Sequence, residues 1–275
     1  WFCMIRGPPR STPFPYTTLF RSISANGLHI VAGTSTGNVL RLTGQGLLSW
    51  TFDGAAAAPE GVAQRSVTGL AIDLDGNRIL AGFTDDPSTD IAAGVLHMLD
   101  DRPFTVWSVS VGGPVLGVDI SDDGSRTMAG SSDRKVSSYN ADGAVRWTVE
   151  SSDVGGQPAN VAAVSADGSR AVAGDQTSQA YLLNADGAKI WTFDADGAIN
   201  GVAVSTSGNR AGVGTASGSV YVFNNQGVVI GQVSHPETSI LALATNSSGS
   251  VLVAGTRSEE RRVGNECRSR LSPYP

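Results

Sequence analysis

Five charged residues, close together in the sequence, have the chemistry to bind a cation or a polar partner. They are Glu60, Arg65, Asp85, Asp86 and Asp90. Hard cations such as calcium take several oxygen ligands, which carboxylates supply. The alternating acidic spacing and the bidentate glutamate of a calcium loop are missing here, and a solvated acidic loop is the competing interpretation. We predict a polar binding site at these residues, with calcium as an open alternative and no metal assigned.

No arrangement of residues that would indicate catalysis accompanies this cluster. The histidines, His29, His97 and His235, are spread over three parts of the chain, at spacings that gather neither a metal site nor a Ser-His-Asp triad. Neighbouring carboxylates such as Asp122 and Asp123 belong to a repeated turn, which argues against a glycosidase pair. The sequence therefore favours a binding protein over an enzyme.

Two terminal segments, which hold both cysteines, differ from the rest of the chain. The stretch TPFPYTTLFRS (12–22) resembles a translated sequencing adapter and departs from it only at Pro13. The stretch RSEERRVGNEC (257–267) resembles the translated complementary strand of the same DNA and departs only at Asn265. We expect residues 1–22 and 257–275 to be non-native, the first segment to be disordered, and any natural signal region to be missing, so both ends are excluded from fold reasoning.

The remaining body is strongly acidic and has no cysteine. The chain has 19 basic residues (Lys and Arg) and 25 acidic ones (Asp and Glu), and the two ends hold 8 of the basic and 3 of the acidic residues. The body therefore has 11 basic and 22 acidic residues and a net charge near −11. The body therefore lacks the excess of basic residues that is typical of nucleic-acid-binding proteins. The body also lacks an apolar run of the roughly 18 residues that a membrane span needs. Without cysteine, it offers neither a disulfide nor a thiol ligand.

A repeated unit organises the body. Six times, a turn glycine is followed six residues later by a second glycine, and successive second glycines lie 40 to 49 residues apart. The clearest copy, VAAVSADGSRAVAGDQTSQAYLLNADGAKIWTF (161–193), has four short apolar runs separated by Asp-Gly or Asn-rich turns, which is the signal of strands joined by hairpins. Four strands in each repeat predict an all-β fold, a β-propeller of four-stranded antiparallel blades.

The repeats divide the body, 23–256, into about five full blades and a partial one. We name the strands of a blade A to D and predict the blades at 23–54, 67–111, 115–150, 160–195, 199–234 and, in part, 239–256. Because the first and last copies both contain strand B, they duplicate rather than complement each other. We therefore expect a portion of a seven- or eight-bladed ring whose missing blades belong to the full-length protein.

Repeated glycines and tryptophans are predicted to be structural. The second glycine of each pair ends strand B, where a side chain would crowd the neighbouring sheet. A tryptophan recurs in strand D, four residues after the C–D turn, and is expected to pack between blades. These residues are Gly33, Gly82, Gly130, Gly174, Gly214 and Gly255, with Trp50, Trp107, Trp147 and Trp191.

The repeats SADGSRAVAGDQTSQAYLLNADGAKIWTF and STSGNRAGVGTASGSVYVFNNQG resemble PQQ-like β-propeller repeats over nearly all of residues 23–256. WD repeats match less well, because their Gly-His and Trp-Asp signatures are missing. The resemblance implies a prokaryotic surface or periplasmic protein. Quinoprotein enzymes of this type hold their cofactor with a stacking tryptophan, a vicinal cysteine pair and a calcium site. Because the body has no cysteine, we expect no PQQ and no other cofactor.

Loop lengths indicate where a partner would bind. The extra residues lie in the B–C loop 83–94 and in the D–A connections 53–66 and 150–160, which a meander places on one face. The strand-A positions Thr68, Leu116, Asn160, Asn200 and Leu241 carry no titratable group. We predict a non-catalytic binding or scaffold module for a protein or polysaccharide. The alternative is a quinoprotein-like oxidoreductase, lyase or hydrolase with its site on the same face.

Overall fold

The computed structural model describes residues 20–58, 62, 65–85, 93–150, 159–236 and 238–256. Within these residues the chain forms twenty-two strands and no helix. Consecutive strands pair antiparallel within five four-stranded sheets and a final two-stranded sheet. The predicted all-β fold with four-stranded antiparallel blades is confirmed.

Strands A to D recur in the same order in every four-stranded sheet. Blades one to three contain β1 (Phe20–Ile23), β2 (His29–Gly33), β3 (Asn38–Thr43) and β4 (Leu48–Asp53); β5 (Arg65–Ile72), β6 (Arg78–Asp85), β7 (Ala93–Asp100) and β8 (Thr105–Val111); and β9 (Val115–Ile120), β10 (Arg126–Ser131), β11 (Lys135–Asn140) and β12 (Val145–Glu150). The later blades contain β13 (Ala159–Val164), β14 (Arg170–Asp175), β15 (Gln179–Asn184) and β16 (Lys189–Asp194); β17 (Ile199–Val204), β18 (Arg210–Thr215), β19 (Ser219–Asn224) and β20 (Val229–Ser234); and the final pair β21 (Ile240–Thr245) and β22 (Leu252–Thr256).

Blade one begins earlier than the sequence indicated. Phe20, Arg21 and Ser22, which we had placed in a disordered segment, pair with Gly33, Ala32 and Val31 of β2. The expectation of disorder is therefore wrong for these three residues. The physical reason is that strand pairing uses backbone N–H and C=O groups, which any residue except proline supplies in full, whatever the origin of the sequence.

The hydrophobic core lies between consecutive sheets rather than inside one of them. Strands A of successive blades pack side by side in the order β1, β5, β9, β13, β17 and β21. Apolar side chains of each sheet meet those of the next in four clusters, between blades one and two, two and three, three and four, and four and five. Each blade therefore depends on its neighbours for burial, as expected of a repeat architecture.

The glycines that end strand B lie where the next blade approaches most closely. A Cβ atom on Gly82 would lie 2.5 Å from Cγ1 of Val115, and one on Gly214 would lie 2.5 Å from Cγ2 of Ile240. Both contacts are far inside van der Waals distance. Gly255 is different, because its Cβ would meet only a backbone oxygen at 3.9 Å. Close approach of the next blade's strand A thus explains the recurring glycine.

The recurring tryptophans join consecutive blades at strand D. The indole Nε1 atoms of Trp50, Trp107 and Trp147 donate to the carbonyl oxygens of Asp101, Ala141 and Ala185 in the next blade's C–D turn, at 2.9 to 3.0 Å. The turn glycines Gly143 and Gly187 lie against the indoles of Trp107 and Trp147, where an added Cβ would come within 2.8 Å of the ring. Trp191 stacks on Phe223 with ring centroids 4.8 Å apart, and its buried Nε1 has no partner among the described residues.

Candidate functional site

The two faces of the blades differ in how they are built. On one, the loop face, D–A connections bond to B–C turns: the backbone N–H of Gly54 donates to Gly37 O at 3.0 Å, and that of His235 to Gly218 O at 2.9 Å. On the other, the turn face, successive A–B turns bond to each other, as where Asp122 N donates to Ala166 O at 2.9 Å. The connections that vary in length in the sequence start and end on the loop face.

The A–B turns of blades three and four, on the turn face, are built alike. In blade three, Ser121 Oγ donates to Asp123 Oδ1 at 2.7 Å and accepts from the Arg126 N–H at 3.0 Å. Blade four repeats both bonds at Ser165 with the same distances. Because these side chains satisfy the turn backbone itself, the Ser-x-Asp-Gly residues have a structural role.

Arg65 and Asp85, two of the five predicted binding residues, form a buried ion pair. They lie opposite each other on β5 and β6. Arg65 donates from Nε to Asp85 Oδ1 at 2.5 Å and from a terminal nitrogen to Oδ2 at 2.9 Å. Its other terminal nitrogen donates to Gly54 O at 3.1 Å. With exposed fractions of 3% and 6%, these side chains are not open to a partner, in contrast to our prediction.

His97 completes this buried network between blades one and two. Its Nε2 lies 3.4 Å from an Arg65 terminal nitrogen, and its ring meets that of Phe83 edge-on at 5.2 Å. Burial, followed by the charge of Arg65, lowers the pKa of His97 to about 4. The imidazole therefore stays neutral at physiological pH. The network anchors Gly54, in the D–A connection of blade one, to β5.

Glu60, Asp86 and Asp90, the other predicted binding residues, lie outside the described residues. Within the described part of the chain, no group of three or more His, Cys, Asp or Glu side chains could hold a metal ion. A cation site formed by the acidic loop remains a prediction.

Blade three carries an exposed basic pair on the loop face that the sequence analysis missed. Arg134 and Lys135 are both exposed, and Arg134 adopts φ 70° in the B–C turn. The equivalent turn residues of blades one and five are glycines, Gly37 and Gly218, with φ 82° and 88°. An arginine at a glycine position was the signal available in the sequence. The chain has one other lysine, Lys189, which begins β16 on the turn face.

Asp119 is a second residue that the sequence analysis missed. It is the titratable residue of strand A in blade three, paired with Met128 of strand B. At the equivalent position of strand A, blades two, four and five carry Ala71, Ala163 and Ala203. Its Oδ2 accepts the Val164 N–H of blade four at 2.7 Å. Desolvation between the strands raises the pKa of Asp119 to about 6, opposed by hydrogen bonds from Val164 and Ile120. The carboxylate thus joins two blades.

The repeated sheets and the contacts between them define this chain as a β-propeller. Neither a family model nor a curated protein matches the sequence. Among solved structures, the chain is similar to a chain of "Crystal Structure of Mitotic Checkpoint Complex", with a TM-score of 0.71 and 16% identity over 88% of this chain and 73% of that one. At this identity the likeness shows the fold alone. The described residues include no helix long and apolar enough to cross a membrane.

Proposed function

We propose that this chain is a non-catalytic binding platform that holds a protein or polysaccharide partner on its loop face, at a prokaryotic surface or in the periplasm. The contrast between the faces carries this proposal. The A–B turns of blades three and four repeat the same serine, aspartate and arginine bonds, whereas the connections of the loop face differ in length and carry Gly37, Arg134 and Gly218 at equivalent turn positions. Variable loops on a rigid scaffold are where binding residues concentrate in repeat proteins.

The chemistry of the described loop face supports binding rather than catalysis. Arg65, Asp85 and His97 are buried and engaged with one another. Arg134 and Lys135 are exposed and carry positive charge on an otherwise acidic chain, so they suit a partner with acidic or hydroxyl groups.

The two lysines provide a matched pair of variants for the test. We would screen the protein against a printed array of bacterial polysaccharides and a phage-displayed peptide library. For the ligands selected, Lys135→Glu is expected to weaken the dissociation constant at least 10-fold, whereas Lys189→Glu on the turn face should change it less than 2-fold. The absence of a ligand in both screens, or greater sensitivity to Lys189→Glu, would overturn the proposal.

A separate measurement tests the non-catalytic part. PQQ and calcium are titrated together into the purified protein while the absorbance of the quinone is followed. We expect no saturable change. A stoichiometric, calcium-dependent complex would instead support the quinoprotein-like alternative.

A further inference from the structure

A cleft of about 210 Å³ opens between blades two and three. The end of β8 forms one wall, and strands β10, β11 and β12 form the other. Five residues with hydroxyl groups line it, and apolar side chains complete the walls. The hydroxyl groups belong to Ser110, Ser131, Ser137, Tyr139 and Thr148, and the apolar side chains include Val109, Val111 and Val145.

The cleft exists because blade three lacks a large side chain that the other full interfaces have. Ser137 pairs with Ala129 of strand B, and the equivalent residues of blades two, four and five are His97, Tyr181 and Tyr221. Tyr181 is completely buried between blades three and four. Between blades four and five, Tyr221 packs on Phe193 with ring centroids 4.9 Å apart.

Blade two also carries a smaller side chain, Val109, at the same interface. Val109 lies two residues after Trp107, where the corresponding residues after Trp50 and Trp191 are Phe52 and Phe193. Phe52 packs on His97 at 5.9 Å, and Phe193 packs on Tyr221. A serine and a valine therefore replace an aromatic pair, and the volume is left open between two otherwise tightly packed blades.

The open volume is polar, and its hydroxyl groups are preorganised. Ser137 Oγ and Thr148 Oγ1 lie 3.0 Å apart across β11 and β12. Burial raises the pKa of Tyr139, so its hydroxyl stays protonated and can donate. At the end of the cleft, Asp133 accepts the Ser131 hydroxyl and the Lys135 N–H, and packs against Gly112.

We propose that this cleft binds one neutral pyranose ring of a sugar. Serine, threonine and tyrosine hydroxyls both donate and accept, so they match the hydroxyl groups of a sugar. The valine walls match the C–H surfaces of the ring. About 210 Å³ corresponds to about seven water molecules, a volume comparable to a single sugar ring. Lys135 and Asp133 carry opposite charges, which favours a ligand without net charge. The cleft shares Lys135 with the loop face proposed above, so its test variants are placed at other lining residues.

Calorimetric titration tests this site with the methyl α-glycosides of D-glucose, D-galactose and D-mannose, and with D-galacturonate as a charged probe. At least one neutral glycoside is expected to bind the wild-type protein. Ser137→Tyr, which restores the residue of blades four and five, should weaken that binding at least 10-fold. Val109→Phe fills the cleft from the opposite wall and should do the same. Ser217→Tyr adds the same side chain at an exposed loop-face residue of blade five and should change the affinity less than 2-fold.

Far-UV circular dichroism and thermal unfolding show that each variant is folded. The proposal is overturned when no neutral glycoside binds, when galacturonate binds more tightly than every neutral glycoside, or when a folded Ser137→Tyr or Val109→Phe variant retains wild-type affinity. Because neither variant changes a charge on the loop face, loss of sugar binding with retained binding of the loop-face partner separates the two sites.

Discussion

Gly82 is the position at which the interblade packing can be tested quantitatively. An added Cβ would lie 2.5 Å from Cγ1 and 3.2 Å from Cβ of Val115. Val115 is completely buried and β-branched, so it has little freedom to move away. Overpacking of this kind costs typically 1 to 3 kcal/mol, and we expect Gly82→Ala to lower the free energy of unfolding by about 2 kcal/mol.

A double-mutant cycle and a matched control isolate the contact. Val115→Ala alone should cost about 2 kcal/mol through lost methyl groups. In the double variant the 2.5 Å contact is gone, so the total cost should stay near 2 rather than 4 kcal/mol, which gives a coupling of about 2 kcal/mol. Gly255→Ala, at the equivalent position with only Ala242 O at 3.9 Å, should change stability by less than about 1 kcal/mol.

Urea unfolding followed by tryptophan fluorescence provides the free energies for this cycle. Two results would refute the packing argument. One is additivity of the two substitutions within about 0.5 kcal/mol. The other is a Gly255→Ala cost as large as that of Gly82→Ala, because a general requirement for glycine in the strand would then explain the repeat.

Three further predictions concern single side chains. Because the pKa of His97 is about 4 in the folded protein and ordinarily 6.5, folding is favoured by about 3 kcal/mol above pH 6.5, and this stability is lost as pH falls to 4. His97→Gln should remove this loss in pH-dependent urea unfolding, and exposed His235→Gln should not. Trp147→Phe should cost about 1 kcal/mol more than Trp191→Phe, because the Trp147 indole donates to Ala185 O and the Trp191 indole has no partner among the described residues; equal losses of unfolding free energy would contradict this. Arg134→Gly should stabilise the protein by up to about 1 kcal/mol by relieving its positive φ, and a lower melting temperature would count against that strain.

The sequence was sufficient to predict the fold because each repeat contains its own residues that mark the turns and the ends of strands. Turn glycines, strand-B glycines and strand-D tryptophans recur at fixed offsets, and Trp107 and Trp147, for example, make the same contact in successive blades. The true start of blade one at Phe20 was not predictable from these signals, because backbone pairing needs no particular side chain.

The candidate site was predicted less well, because it depends on register and burial. Arg65 and Asp85 are twenty residues apart and look like independent loop charges until β5 and β6 are paired, when they become directly opposite and buried. Asp119 and Ser137 become informative only when equivalent positions are compared across blades. Once the register is known, a carboxylate among alanines and a serine among His97, Tyr181 and Tyr221 are both visible in the sequence.

Amine-reactive footprinting is the most direct test of the claim that the loop face holds the partner. The chain has two lysines, one on each face, so acetylation rates at Lys135 and Lys189 measured by mass spectrometry report on the two faces within one molecule. With a saturating ligand from the polysaccharide or peptide screen, we predict at least 5-fold slower acetylation at Lys135, in line with the exclusion of solvent from a bound interface, and an unchanged rate at Lys189. Protection of Lys189 alone, or equal protection of both lysines, would contradict the account.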